Sequence, residues 1–381
     1  MKTDLRHRAW AEIDLSAFER NLGKIKAALP ERVRYIAVVK ADAYGHGMPQ
    51  IVSRLLQCEV DCFAVANVYE AADVREIGPG AQILVLGALL PEELEHVVSY
   101  DLTVAVSNAN ELARLARLGD LHRRKIPIHI KVDTGMGRLG VWHEEAPGLI
   151  AQALNTPQVE LKGLFTHFSC AESDPAFTRL QRERFLRALE SVPEAQRARM
   201  LIHADNSGGL ESFSEDQPFN AVRIGLLQYG HKPGPGAFLS SLGTEPVLSF
   251  RARVGLIKEL PAGTDISYGR THTLSRDSRI AVITAGYGDG LPTSASGRGK
   301  IIVGGSARPI LGRVTMDQTI VDITGMDDVK VGDAVTLIGR QDGAEIAVEQ
   351  FCADAGCIPW EALCTLTKRV KRIYRTARVA T

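Results

Sequence analysis

The chain has 381 residues, more than one hydrophobic core usually serves, so two domains are expected. Its 45% hydrophobic and 24% charged residues are ordinary for a globular protein, and 45 basic side chains balance 45 acidic ones. Without a basic field or a block of like charge, nucleic-acid and membrane partners are not expected.

Met1–Arg8 carries no apolar core of a secretory leader, and no apolar run approaches the roughly 20 residues of a membrane span. Cys58, Cys62, Cys170, Cys352, Cys357 and Cys364 are scattered without a C-x-x-C pair. That spacing suits neither structural zinc nor a disulfide framework. A cytoplasmic protein with reduced, mostly buried thiols and no metal is the expectation.

In chain order, Ser16 and Glu19 stand at capping-box spacing. Leu15, Phe18, Leu22, Ile25 and Leu29 then recur at helical spacing up to Pro30, predicting a helix over 14–29. Apolar, β-branched runs follow at 33–39, 61–66, 82–86, 102–106, 126–132, 160–165, 200–204 and 221–229. Between them lie amphipathic stretches such as 91–99, 109–118 and 176–190. Eight strands alternating with helices predict an α/β fold, a (β/α)₈ barrel of the TIM type. A doubly wound sheet ranks lower, because the turn after the first strand reads KADAYGHG instead of Gly-x-Gly-x-x-Gly. The Pro- and Gly-rich stretch near 231–243 reads as a linker. Strand-like runs at 247–258, 279–285, 300–304, 309–311, 319–323 and 334–338, with one helix at 344–355, predict a smaller, mostly β domain. The expected division is therefore 1–240 and 241–381.

Function in such a barrel gathers at the C-terminal ends of the strands. Those positions hold Lys40 and Tyr44, Asp133 through Arg138, His167, the Asn206-Ser207-Gly208-Gly209 run, and Arg223 with Gly225. Ser207, Gly208 and Gly225 sit on the loops after strands 7 and 8, where backbone N–H groups commonly converge on a phosphate. A lysine ending an apolar strand is usually a solvated strand end. Lys40, however, follows Val38-Val39 and shares its rim with the phosphate cradle. Partly apolar surroundings favour the neutral amine that a Schiff base to an aldehyde cofactor requires. Arg223 and His167 read equally well as structural polar groups, and spacing alone gives Tyr268 and Met316 no role.

AVVKADAYGHG (37–47), HIKVDTGMGRLG (129–140), FTHF (165–168), HADNSGG (203–209), VRIGLLQYG (222–230), ISYGRT (266–271), AGYGDG (285–290) and GRVTMDQ (312–318) resemble, in order, the motifs of alanine racemases. The resemblance runs from about Trp10 to Tyr374. It implies an enzyme that binds pyridoxal 5'-phosphate on Lys40 and interconverts L- and D-alanine, supplying D-alanine for peptidoglycan. Lys40 would be the base on one face of the substrate and Tyr268, from the partner subunit of a homodimer, the base on the other. The implied cofactor site comprises Tyr44, His167, Asn206, Ser207, Arg223, Gly225 and Leu226 beside Lys40. Arg138 and the Met316 backbone would meet the substrate carboxylate, and the lysine matching Lys131 is carbamylated in many members. Inverting a stereocentre by proton exchange needs a base on each face, and a guanidinium beside the tyrosine favours its phenolate. Arg223, which keeps its own proton, would leave the cofactor's ring nitrogen unprotonated.

Two positions depart from the family's pattern: Lys368 stands where many members have tyrosine, and Thr293 where many have arginine. They leave open a racemase of serine or of broader range. A non-catalytic carrier of the cofactor is the alternative from another class, and a decarboxylase on the same barrel is a third.

Overall fold

The structure is a computed structural model that describes residues 7–214 and 217–376. The opening segment read for a leader lies outside the described residues up to residue 6. Two compact units emerge, one of residues 18–245 and one made of residues up to 17 together with 246 onward.

The first unit is a parallel sheet of eight main strands: β1 Arg34–Val38, β2 Cys62–Val65, β3 Gln82–Val85, β4 Thr103–Val106, β5 Ile126–Asp133, β6 Val159–Phe165, β7 Leu201–His203 and β8 Ala221–Ile224. Each pairs in parallel with the next through β7, and β8 pairs with β1. All eight coincide with the apolar runs of the sequence, two of them reaching one residue further at Asp133 and Val159, but the last of those runs ends early. After Ile224 the backbone turns at Gly225 into a 3₁₀ turn, Leu226–Tyr229. The predicted (β/α)₈ barrel is the observed fold.

The barrel closes differently at β7 and β8, where no regular ladder forms. Asn220 N–H donates to Ile202 O at 3.0 Å and Arg223 N–H to Asp205 O at 2.9 Å, with an isolated bridge between Asn206 and Arg223. Strand alternation puts Ile128, Ile130 and Val132 on one face of β5 and His129 and Lys131 on the other. The polar pair meets His203 of β7 and Phe165 of β6, so one end of the barrel lining is polar and buried.

The second unit is mostly β, as expected, with one difference in its membership. Ala9–Asp14 pairs antiparallel with Leu248–Leu260, Ala9 opposite Ala252, and in parallel with Lys371–Arg375. The expected division at 240 therefore gives way to a discontinuous unit. Glu12 explains why the strand is hard to read: its half-buried carboxylate, on the face opposite Ala9, Ala11 and Ile13, meets Arg251 at 3.0 Å and Arg375 at 2.7 Å, so a charge interrupts the apolar run. The helix cap differs too. Asp14, not Ser16, accepts from the N–H groups of Ser16 and Ala17, and the helix begins at Leu15. The stretch read as linker holds a short helix, Ala237–Ser241, and the predicted helix 344–355 begins only at Val348. Of the six thiols, Cys62 and Cys352 alone are buried, fewer than expected.

Candidate active site

Lys40 follows β1 and opens a turn of unusual hand. Ala41, Asp42, Ala43 and Tyr44 all have φ between 52° and 54°. Each L residue in that region is disfavoured by roughly 1–2 kcal/mol, because Cβ crowds the next carbonyl. The surroundings over-determine the turn. Ala41 N–H donates to Glu70 Oε1 at 2.7 Å while Glu70 Oε2 accepts from Ala66 N–H at 2.8 Å, strapping the turn to the end of β2. Asp42 Oδ1 accepts from Met48 N–H at 2.7 Å, tying the far end to the next helix. Gly45 and Gly47, with φ of 78° and 93°, let the chain leave. The backbone that carries Lys40 is thus fixed from both sides, and Tyr44 at its end is buried.

Tyr44 reaches β8. A Cβ built on Gly225 would lie 2.5 Å from its hydroxyl oxygen, so only glycine leaves room for the phenol there. Ser207 Oγ accepts from Gly225 N–H at 3.0 Å, joining the loops after β7 and β8. Asn206 folds its own loop by accepting from Gly209 N–H at 2.8 Å. The N–H of Leu226 opens the 3₁₀ turn and has no partner within it. A phenol, a hydroxyl and backbone N–H groups meeting at one point fit a phosphate.

Arg223 is 3% exposed and bound on every side. Its Nη1 donates to His203 Nδ1 at 2.8 Å and to His203 O at 3.1 Å. Its Nη2 donates to Thr166 O at 2.8 Å, Ala204 O at 3.0 Å and His167 Nδ1 at 3.3 Å. A guanidinium only donates, which fixes the tautomers. His203 Nδ1 must be bare, so Nε2–H donates to His129 Nδ1 at 3.0 Å. His167 likewise carries its proton on Nε2. Burial, then the charge of Arg223, holds all three imidazoles neutral, with His129 pushed down to about 3. Burial lowers Arg223 itself to about 10, still protonated at neutral pH.

Lys131 is buried, its Nζ 5.6 Å from the centroid of the Phe165 ring. Burial first, then the charges of Arg138 and Arg223, push its ammonium down to about 8. Arg138 is exposed on a loop that Asp133 shapes by accepting from the N–H groups of Gly135, Met136 and Gly137. Lys40, Tyr44, Arg138, His167, Asn206, Ser207, Arg223, Gly225 and Leu226 all belong to the barrel unit. His203, His129 and Glu70 were given no role from the sequence. His203 stood inside a quoted motif, whereas Glu70 reads as a surface acid of a helix.

Tyr268 and Met316 belong to the β unit and are 72% and 53% exposed. Tyr268 sits in a tight loop, with Ser267 and Gly269 at φ of 65° and 71°. Ser267 Oγ donates to Arg313 O at 2.7 Å. The loop that begins there runs on to Met316, whose carbonyl accepts from Gly288 N–H at 2.9 Å. A Cβ on Gly286 would lie 2.1 Å from Thr315 O, so the AGYGDG and GRVTMDQ loops pack backbone on backbone. Arg369 locks them, pairing with Asp289 at 2.8 Å and Asp317 at 2.8 Å. Lys368 and Thr293 are exposed.

An amine on a strained turn, an anion cradle and a buried cationic network at one barrel end define the class: a barrel enzyme built around an anionic, aldehyde-bearing cofactor. The comparisons are specific. The family profile "Alanine racemase, N-terminal domain" matches residues 13–233, and "Alanine racemase, C-terminal domain" matches 247–374. The chain is 37% identical to the alanine racemase of Halothermothrix orenii over 367 residues, covering 96% of each. It is 38% identical to that of Symbiobacterium thermophilum, covering 98% of this chain and 99% of the other. The solved alanine racemase of Clostridium difficile 630 superposes with a TM-score of 0.90 at 31% identity, covering 98% of this chain and 97% of that one. An alanine racemase from Bartonella henselae with covalently bound pyridoxal phosphate gives 0.87 at 29%, covering 97% and 100%. The chain belongs to the alanine racemase family of pyridoxal-phosphate-dependent isomerases.

Proposed function

We propose that this enzyme interconverts L- and D-alanine by two-base exchange of the α-proton. Lys40 works from one face and Tyr268 of a second copy of the chain from the other. The observation that carries the reading is the rim itself: Lys40 on a rigid turn, sharing a barrel end with the Tyr44–Ser207–Gly225 cradle and the Arg223 network. When bound, the cofactor supplies a conjugated ring that takes up the electron pair left by the departing proton.

The protein's own groups do the rest. Lys40 binds the cofactor covalently through Nζ and moves a proton on its face. Tyr44, Ser207, Asn206, Gly225 and the N–H of Leu226 hold the phosphate. His167 and Arg223 face the ring, and Arg223, keeping its proton at neutral pH, leaves the ring nitrogen unprotonated. Arg138 and the Met316 backbone orient the substrate carboxylate. Arg138 is the closest-coupled cation to Lys131, whose lowered ammonium leaves about a tenth of it neutral at pH 7. That fraction is the form that carbamylation needs, and a carbamate there would carry negative charge toward Arg138.

Tyr268 and Met316 are exposed on braced loops of the β unit and so are open to a second copy of the chain, in keeping with a homodimer with shared sites. A cytoplasmic supply of D-alanine for peptidoglycan fits an isomerase without a membrane-spanning helix among the described residues. The departures from the family's pattern at Lys368 and Thr293 keep a broader specificity that includes serine as the second reading.

The test is L-alanine turnover in deuterated water. D-alanine carrying deuterium at Cα is expected. Racemisation with full retention of the α-hydrogen, or none at all with cofactor bound, would refute the reading.

A further inference from the structure

The barrel unit contains a buried ion pair that the proposed chemistry leaves unused. The side chain of Arg182, on helix Pro175–Leu189, is 5% exposed, and that of Asp205, just beyond β7, is fully buried. Nη2 donates to Asp205 Oδ1 at 2.7 Å and Nη1 to Oδ2 at 3.4 Å. The same guanidinium donates to Gln217 Oε1 at 2.7 Å and to Ser212 Oγ at 3.0 Å. It also lies 4.9 Å from the Phe168 ring and 5.5 Å from the Phe219 ring.

A pair this buried is a poor stabiliser in itself. Desolvating both ions offsets most of their attraction, and an apolar pair of similar volume often does as well. Burial alone raises the Asp205 carboxyl, and Arg182 is the main group opposing that rise. The location gives the pair a purpose. Asp205 O receives the Arg223 N–H, one of the few bonds across the unladdered seam between β7 and β8. Its carboxylate lies against the loop that carries Asn206 and Ser207: a Cβ on Gly209 would be 2.8 Å from Oδ1. Phe168 adjoins His167, and Gln217 and Phe219 lead into β8. One guanidinium thus touches the loops after β6 and after β7 and the approach to β8. Those three pieces carry His167, Ser207 and Arg223.

We propose that Arg182 and Asp205 are positioning residues for the cofactor. Their ion pair fixes the three rim segments relative to one another, so the cradle is formed before the phosphate arrives. The inference rests on the pyridoxal-phosphate reading above. Pre-organisation of this kind tightens binding by removing the ordering that the ligand would otherwise impose.

Full-length protein stripped of cofactor and titrated with pyridoxal 5'-phosphate tests it. The variants are Arg182→Met, Asp205→Asn and the double Arg182→Met/Asp205→Leu. Each single change leaves a buried polar group without its partner, so stability and cofactor affinity should both fall. The double variant removes both charges and should regain the wild-type melting temperature, yet bind the cofactor at least about tenfold more weakly. Its kcat at saturating cofactor should stay within about threefold of wild type. Wild-type affinity in the double variant overturns the proposal, because the pair would then be structural only. Should the double variant fail to fold, Arg182→Lys decides. It keeps the charge but not the fork that spans Asp205, Gln217 and Ser212. A loss of about threefold or more in affinity supports positioning, and none refutes it. If the wild-type protein takes up no pyridoxal phosphate, the underlying reading fails; uptake that no variant alters sinks this inference alone.

Discussion

The barrel rim and the loops of the β unit hold their candidate site residues in opposite ways. On the rim, Arg223 is 3% exposed, makes five hydrogen bonds through its guanidinium and is ringed by neutral histidines. In the β unit, Tyr268 and Met316 stand out from the surface on turns braced only at their bases. The rim is finished within one chain, whereas the β loops are rigid but present their side chains outward. Binding the cofactor should depend on the first region and completing the proton exchange on the second.

The largest effect separates the two outright. Lys40→Ala and Tyr268→Ala should each lower kcat by about 10³-fold or more. Only the first should abolish covalent cofactor binding, read as the band trapped by borohydride. Mixed under conditions of subunit exchange, they should recover about a quarter of wild-type activity, because half the dimers carry one intact site. No recovery despite proven exchange would break the comparison.

Glycine substitutions sharpen it. Gly225→Ala drives a methyl against the Tyr44 hydroxyl and should weaken cofactor affinity by about tenfold to a hundredfold, some 1.4–2.7 kcal/mol. Gly286→Ala drives one against Thr315 O and should lower kcat by a similar factor while cofactor affinity is unchanged. Equal losses of cofactor in both variants would contradict the division of labour.

Acid should attack the rim. His129, His167 and His203 are neutral in the fold, their values lowered below the ordinary 6.5. As pH falls, the unfolded chain takes up these protons first. The stability they contribute is whole above about 6.5 and drains below it, at about 1.4 kcal/mol per pH unit for each histidine still neutral. Urea midpoints at pH 7, 6 and 5 measure this, and His129→Asn should flatten the slope by about a third. A midpoint unchanged from pH 7 to 5 would mean that the histidines are protonated in the fold.

The smallest change concerns selectivity. Lys368→Tyr should shift the alanine-to-serine ratio of kcat/KM by less than about tenfold, since a pocket wall resolves such small differences poorly. A change of several hundredfold would make Lys368 a principal determinant.

Much of this was legible in the sequence because strand cores announce themselves. Runs such as Leu102–Val106 are apolar and β-branched whatever surrounds them, and the rim residues follow from where such runs stop. What stayed hidden depends on contacts between distant segments. Ala9–Asp14 alternates, but Trp10 and the charge of Glu12 obscure it until Arg251 and Arg375 are seen to meet the carboxylate. Arg182 lies among Arg179, Arg184 and Arg187 on a charged helix and looks as solvated as its neighbours. The left-handed turn at Ala41–Tyr44 is invisible because four non-glycine residues at positive φ contradict local preference. Side-chain bonds from Glu70, Asp42 and His46, which no local preference reveals, make it tenable.

The strand Ala9–Asp14 has a consequence for synthesis. It leaves the ribosome first among the described strands, yet its antiparallel partner, beginning at Leu248, follows only after the whole barrel has been made. At about 5–20 residues per second, that interval is on the order of ten seconds or more. Through it, an alternating segment with an unpaired backbone edge must stay out of trouble beside a maturing neighbour. The Glu12 carboxylate, awkward for any partner that lacks the cations Arg251 and Arg375, is a suitable guard for the delay.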